Sequence, residues 1–209
     1  MENRYWSWER CSTKIRSLSG RLGFARSDRL TFLGLTVSLK DGSISDNLAG
    51  GRKLDRYQTE RIYCILCGYA SSEPVEETST LISFRQIPGG WLYFRPFTYR
   101  VLKPLEKSFG SNPRLLVEAG KLLGGSEAGL GDSSIKIYAL PLVPLIIVLY
   151  AESEEFPASA NVFYDSSVTS LLSTEEIVML SELTAARLRQ AVTRVGRSPK
   201  NERESLGVS

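Results

Sequence analysis

From Leu145 to Tyr150 the chain reads Leu-Ile-Ile-Val-Leu-Tyr, six consecutive apolar residues that are mostly branched or aromatic. A run this short does not cross a bilayer, and its composition suits a strand buried on both faces. An acidic connection follows (Glu152, Glu154, Glu155), then a stop at Phe156-Pro157. A second β-prone run, Asn161-Val162-Phe163-Tyr164, ends at Asp165. The economical reading is a hairpin-like strand pair at the centre of a sheet.

Periodicity organises the rest of the chain around that pair. Tyr5 to Leu22 reads as a helix, with Trp8, Cys11, Ile15, Leu18 and Leu22 at helical spacing. Leu30 to Leu39 alternates as a strand, and Asp41-Gly42 supplies a tight hairpin turn into a return strand at Ser43 to Ser45. Gly50-Gly51 is a flexible joint, and Leu54 to Tyr69 a second helix. Ser71 to Ser79 is a polar loop; Leu81 to Ile87 and Trp91 to Tyr99 read as strands joined by the turn Pro88-Gly89-Gly90. Leu105 to Phe109 is a short helix, and a better one is capped by Asn112 and stopped by Gly124-Gly125. Gly129 to Asp132 is a hinge loop lacking the setting of a phosphate loop. Ile135 to Leu140 begins the central strands, with Pro141 and Pro144 suited to strand ends or bulges. Ser173-Thr174-Glu175-Glu176 has the form of a capping box and opens the last helix.

These elements predict an α+β fold, a single domain over residues 1–195 with a mixed, mostly antiparallel sheet packed against several helices. Residues 1–50 form a helix-and-hairpin subregion within it, and residues 196–209 read as a flexible polar tail. The length of 209 residues and the apolar content of 42% are enough for a substantial core.

The chain contains no histidine. Histidine general acid–base catalysis, His-dependent nucleophile activation and His-ligated zinc or haem are therefore excluded for this chain on its own. Its three cysteines, Cys11, Cys64 and Cys67, make no disulfide framework. Cys64 and Cys67 form a Cys-x-x-Cys pair in mid-helix, with no second pair to complete four thiolates, and read as small semi-buried hydrophobes. Met1 to Leu22 is charged throughout, without the apolar core of a signal peptide, so the reducing cytoplasm is the expected compartment. The net charge of +3 is carried mostly by the ends of the chain and reads as solvated helix faces.

Two clusters remain as candidates for a site. Arginines interleave with aromatics around Arg85, Trp91 and Arg95, a composition that holds planar or anionic groups. The competing reading places these aromatics in the core and the arginines outward. Glu154, Glu155 and Asp165 belong to the dense acidic set near the sheet centre, which could serve as acid, base or cation ligands if buried. No metal site is assigned, because the acidic spacing matches no calcium loop.

Seven segments occur in an ordered set: Ile82–Gly90 (ISFRQIPGG), Lys103–Gly110 (KPLEKSFG), Leu123–Gly125 (LGG), Gly131-Asp132, Pro141–Leu145 (PLVPL), Glu154–Ser167 (EEFPASANVFYDSS) and the helix start at Leu172–Glu176. Together they resemble a domain-of-unknown-function family of anaerobic bacteria and archaea, over nearly the whole chain. Some members of that family are fused to, or encoded near, iron–sulfur and corrinoid one-carbon proteins. The resemblance implies an accessory role in anaerobic cofactor or one-carbon metabolism. This chain departs from the fused members in lacking a cysteine-rich cluster segment. It also reads Tyr-Ala-Glu-Ser at Tyr150–Ser153, where members more often show a Trp-x-Gly-Asp pattern.

The leading functional reading is thus a ligand- or partner-binding accessory module. Its expected partners are a small molecule or an iron–sulfur or corrinoid protein, with no membrane among them and no cofactor identified. The expected pocket lies between the Arg85–Tyr99 hairpin and the Glu154–Asp165 segment. The alternatives are a histidine-independent enzyme using the carboxylates of residues 152–165, and nucleic-acid binding through the basic termini.

Overall fold

The alternating and apolar runs build two antiparallel sheets in the computed structural model, which describes residues 6–195. Helix α1 (Trp8–Arg16) leads into a meander of β1 (Arg29–Phe32), β2 (Leu35–Ser38), β3 (Ile44–Asp46) and β4 (Arg52–Lys53). Helix α2 (Arg56–Ala70), strand β5 (Leu81–Ser83) and helices α3 (Gly90–Phe97), α4 (Lys103–Phe109) and α5 (Arg114–Leu122) follow. Then come β6 (Ser126–Glu127), β7 (Ser133–Leu140), β8 (Val143–Tyr150), β9 (Ser159–Asp165), α6 (Val168–Leu171) and α7 (Thr174–Val195). The first sheet has the order β1-β2-β3-β4 and the second β5-β9-β8-β7-β6. The tail at residues 196–209 lies outside the described residues.

β8 is the central strand of the larger sheet, paired with β7 on one side and β9 on the other. Leu145, Ile147, Val148 and Leu149 are buried on alternating faces, so both faces are covered, as an uninterrupted apolar run requires. Pro144 lies near the start of β8 opposite Tyr138, where the register shifts between Tyr138 and Leu140. The ladder therefore tolerates a residue without an N–H at its irregular end.

The alternating stretch at Leu30–Leu39 is two strands, not one. Leu33 (φ 47°) and Gly34 (φ 68°) both adopt left-handed conformations, which folds the stretch into a two-residue hairpin between β1 and β2. A leucine at positive φ is strained and must be held by its surroundings. Asp41-Gly42 makes the next turn as expected. Its glycine has φ 78° and lies against the Trp8 ring, which a Cβ would approach to 2.3 Å.

Trp91–Tyr99 is not a strand. It forms α3, which continues through a π turn (Thr98–Leu102) into α4. β5 is correspondingly short, and Phe84–Gln86 is a 3-10 turn. The cause is tertiary. Phe94, Phe97, Val101 and Leu105 recur at helical spacing, and the Phe97 ring stacks on Phe84 at 4.1 Å between centroids and 5° between planes. Gly90 permits the helix start, since a Cβ there would fall 2.0 Å from the Phe84 carbonyl oxygen.

The Ser173–Glu176 capping box forms: the Ser173 N–H donates to Glu176 Oε2 at 2.8 Å and the Glu176 N–H to Ser173 Oγ at 3.4 Å. From there α7 packs against α2 and α5, and its far end meets the meander. Buried side chains from both sheets and these helices form one continuous core. No helix among the described residues is long and apolar enough to cross a membrane.

A candidate ligand cleft between the meander, α2 and α7

The buried stripe of α7 contains an arginine. Arg187 follows Leu180 and Thr184 and precedes Ala191 at spacings of three and four residues, so the helix geometry turns it inward with them. A buried guanidinium needs all its donors satisfied. Nε donates to the Leu33 carbonyl (2.9 Å) and Nη2 to the Gly34 carbonyl (3.1 Å). Nη2 also reaches Asp46 Oδ1 at 2.6 Å, and Nη1 donates to Gln190 Oε1 at 2.7 Å. Gln190 in turn donates to Asp46 Oδ2 at 2.6 Å.

Asp46 completes the network by accepting from the Leu48 and Ala49 N–H groups, which caps the short turn before β4. Burial works to raise the Asp46 pKa, but the hydrogen bonds from Arg187 and Gln190 and the Arg187 charge outweigh it and hold it below the usual value. One side chain of α7 thereby clamps the strained Leu33-Gly34 hairpin and the end of β3.

Above this clamp lies a cavity of about 460 Å³. Leu35 of the meander, Leu54, Ile62 and Ile65 of the α2 region, and Met179 and Leu183 of α7 give it apolar walls. Arg61 of α2 and Glu182 of α7 form an ion pair beside it, with Arg61 donating also to the Tyr57 hydroxyl (2.9 Å) and Arg100 approaching Glu182 at 3.5 Å. At the rim, Arg52 and Lys53 of β4 are exposed, and their side chains make no hydrogen bond or ion pair among the described residues. The polar groups at the base of the cleft are engaged with one another, and the cations at its mouth are free.

The residues singled out in the sequence lie elsewhere and in three separate places. Arg85 stacks on the Phe94 ring, its guanidinium carbon 3.8 Å from the centroid. Trp91 and Arg95 are exposed on α3. Glu154 and Glu155 are exposed in the loop between β8 and β9, which is tied to the end of α4 by the Glu152 N–H donating to the Gly110 carbonyl (3.2 Å). Asp165 is at the opposite end of β9, roughly 20 Å of extended chain from the start of that strand. It is buried and accepts from the Thr78 N–H, the Thr78 hydroxyl and the Ser167 N–H, each at 3.0 Å. Burial pushes its pKa up, but these hydrogen bonds from Ser167 and Thr78 prevail and hold it at about 2. The carboxylate is occupied in fastening the loop before β5 to the end of β9.

Cys11, Cys64 and Cys67 are all buried and unpaired. Burial pushes the thiols of Cys11 and Cys64 up to about 12 and raises that of Cys67, so at neutral pH all three are protonated and unsuited to nucleophilic or metal-binding roles. Among the described residues no three Cys, Asp or Glu side chains are grouped as a metal site.

Asp46, Arg187 and Gln190 were missed because each looks ordinary alone: a strand-end aspartate and two polar residues near a basic chain end. The readable signal was the phase of Arg187, which coincides with the buried stripe of its helix.

An α+β domain with a preformed amphipathic cleft is the class that fold and site define. The family model for "Domain of unknown function (DUF3786)" matches residues 17–187, and the chain belongs to that family. No curated protein and no solved structure matches it.

Proposed function

We propose that the chain is a binding module whose cleft between the meander, α2 and α7 takes a small amphipathic anion. One observation carries this reading. The cleft combines apolar walls and a self-satisfied polar base with two unpartnered cations, Arg52 and Lys53, at its mouth. Pockets that are mostly apolar, with a few converging polar groups, are the usual form of a small-molecule site. The apolar part of a ligand would lie against Leu54, Ile62, Ile65 and Leu183, and its anionic group would meet Arg52 and Lys53. The Asp46–Arg187–Gln190 network would keep the cleft open and shaped before binding.

The reading assigns the chain no covalent chemistry of its own. Its proposed setting is accessory to anaerobic cofactor or one-carbon metabolism, in the cytoplasm, where it would serve a partner protein. The sequence resemblance supports that setting, and three unpaired buried thiols are compatible with a reducing compartment.

The test is a fluorescence titration of the full chain with 1-anilinonaphthalene-8-sulfonate, a small amphipathic anion. Saturable binding at one site is expected, weakened about tenfold by the double substitution Arg52→Glu and Lys53→Glu. Unsaturable enhancement, or equal binding by the charge-reversed protein, would contradict the reading.

A further inference from the structure

The second feature of the surface is independent of the cleft. Between Phe84 and Leu105 the chain carries Arg85, Arg95, Arg100 and Lys103 and no carboxylate. The same segment bears the densest set of exposed large apolar side chains: Trp91 is 70% exposed, Leu92 62%, Tyr93 54% and Tyr99 64%. Three of these are consecutive at the start of α3, so they spread around the helix rather than sharing one face. The core takes Phe94 and Phe97 from this helix and leaves Trp91, Leu92 and Tyr93 in water. Large apolar side chains left this exposed and this close in the chain mark an interaction surface, and tryptophan, tyrosine and arginine are the residues that anchor one.

We propose that the α3 surface is a docking site for an acidic, apolar-bearing segment of a partner protein. The Arg85 guanidinium carbon lies over the ring of Phe94, a residue of α3, 3.8 Å from its centroid, which places this exposed cation against the helix that carries Trp91, Leu92 and Tyr93. A guanidinium presents paired donors matched to a carboxylate. Arg95 is exposed on the same helix, with no hydrogen bond or ion pair among the described residues.

Two other occupants fit the chemistry less well. A second copy of this chain, docked by the same surface across a two-fold axis, would bring two sets of the same cations together with no carboxylate in the segment to offset them. An anionic bilayer draws on clusters of several free cations. Here Arg100 is paired with Glu182 at 3.5 Å and Lys103 with Glu106 at 2.7 Å, which leaves two. The exposed Glu175 is also close by, next to Thr174, whose hydroxyl donates to the Pro88 carbonyl at 2.7 Å. A peptide segment has a footprint small enough to avoid it.

The experiment is selection of a random 16-residue peptide library displayed on phage against the full chain, with the enriched peptides then measured by fluorescence anisotropy. Enrichment of peptides combining Asp or Glu with Leu, Ile or Phe is expected, and Trp91→Ala and Arg95→Glu should each weaken them at least tenfold. Both positions are exposed, and unchanged circular dichroism and thermal midpoint would establish that each variant is folded. No enrichment, enrichment without carboxylates, or binding indifferent to both substitutions would overturn the proposal. Trp91-dependent sedimentation with phosphatidylglycerol vesicles, or a dimer lost on Trp91→Ala, would replace it with a membrane or a self-association surface.

Discussion

The cleft and the α3–β9 region use similar residue types to opposite ends. In the cleft, a buried arginine and aspartate and a half-buried glutamine from α7 and the meander satisfy one another beneath a concave apolar wall. In the other region, Arg85, Arg95, Glu154 and Glu155 are rich in charge but remain at the surface, and Asp165 is spent on fastening a loop. Density of chemically interesting residues along a sequence is therefore a poor guide to convergence in space. What distinguished the cleft was a charge placed in the phase of a buried helix stripe, where only a partnered guanidinium is tolerated.

The largest expected effect separates the two regions by stability. Arg187→Ala leaves Asp46 buried without its partner and releases the Leu33-Gly34 hairpin, so urea denaturation should show a loss of about 3–5 kcal/mol. Arg187→Met together with Asp46→Leu removes both charges and should cost less than the single substitution. A loss below about 1 kcal/mol for Arg187→Ala would remove the distinction between the clamp and a surface arginine.

A smaller effect belongs to Asp165. Its folded pKa of about 2 lies below the ordinary aspartate value, so the carboxylate stabilises the fold above about pH 4. That contribution, about 2 kcal/mol, is lost as the pH falls toward 2, where the folded protein too takes up the proton. Asp165→Asn should flatten this part of the stability profile, measured by chemical denaturation between pH 2 and pH 5. An unchanged slope would show the carboxylate to be idle.

The smallest effect is expected in the acidic loop. Glu154→Gln and Glu155→Gln should shift stability by less than about 0.5 kcal/mol, since both side chains are exposed. A larger shift would reveal a contact that gives the loop a structural role.

Much of the fold was legible because local signals agreed with tertiary demands. The Leu145–Tyr150 run became the central strand, paired in antiparallel register with β9, and the Ser173–Glu176 cap formed as its spacing required. The α3 segment failed that agreement. Trp91–Tyr99 is rich in β-prone aromatics and contains Pro96, yet its ring contact with Phe84 and the continuation into α4 make it helical. Packing outweighed propensity there. The Leu33-Gly34 turn was equally hidden, because a leucine at positive φ carries no sequence signal and depends on Arg187, 154 residues further along the chain. The cleft was illegible for the same reason: its walls come from three elements that only the folded chain brings together.

The most direct measurement is methyl chemical-shift mapping of the full chain titrated with 1-anilinonaphthalene-8-sulfonate. Saturating shifts should concentrate on Leu35, Leu54, Ile62, Ile65, Met179 and Leu183, with Leu92 on α3 and Ala158 in the acidic loop unmoved. Shifts centred on α3 or on the loop between β8 and β9, with the cleft methyls silent, would contradict the cleft as the ligand's seat.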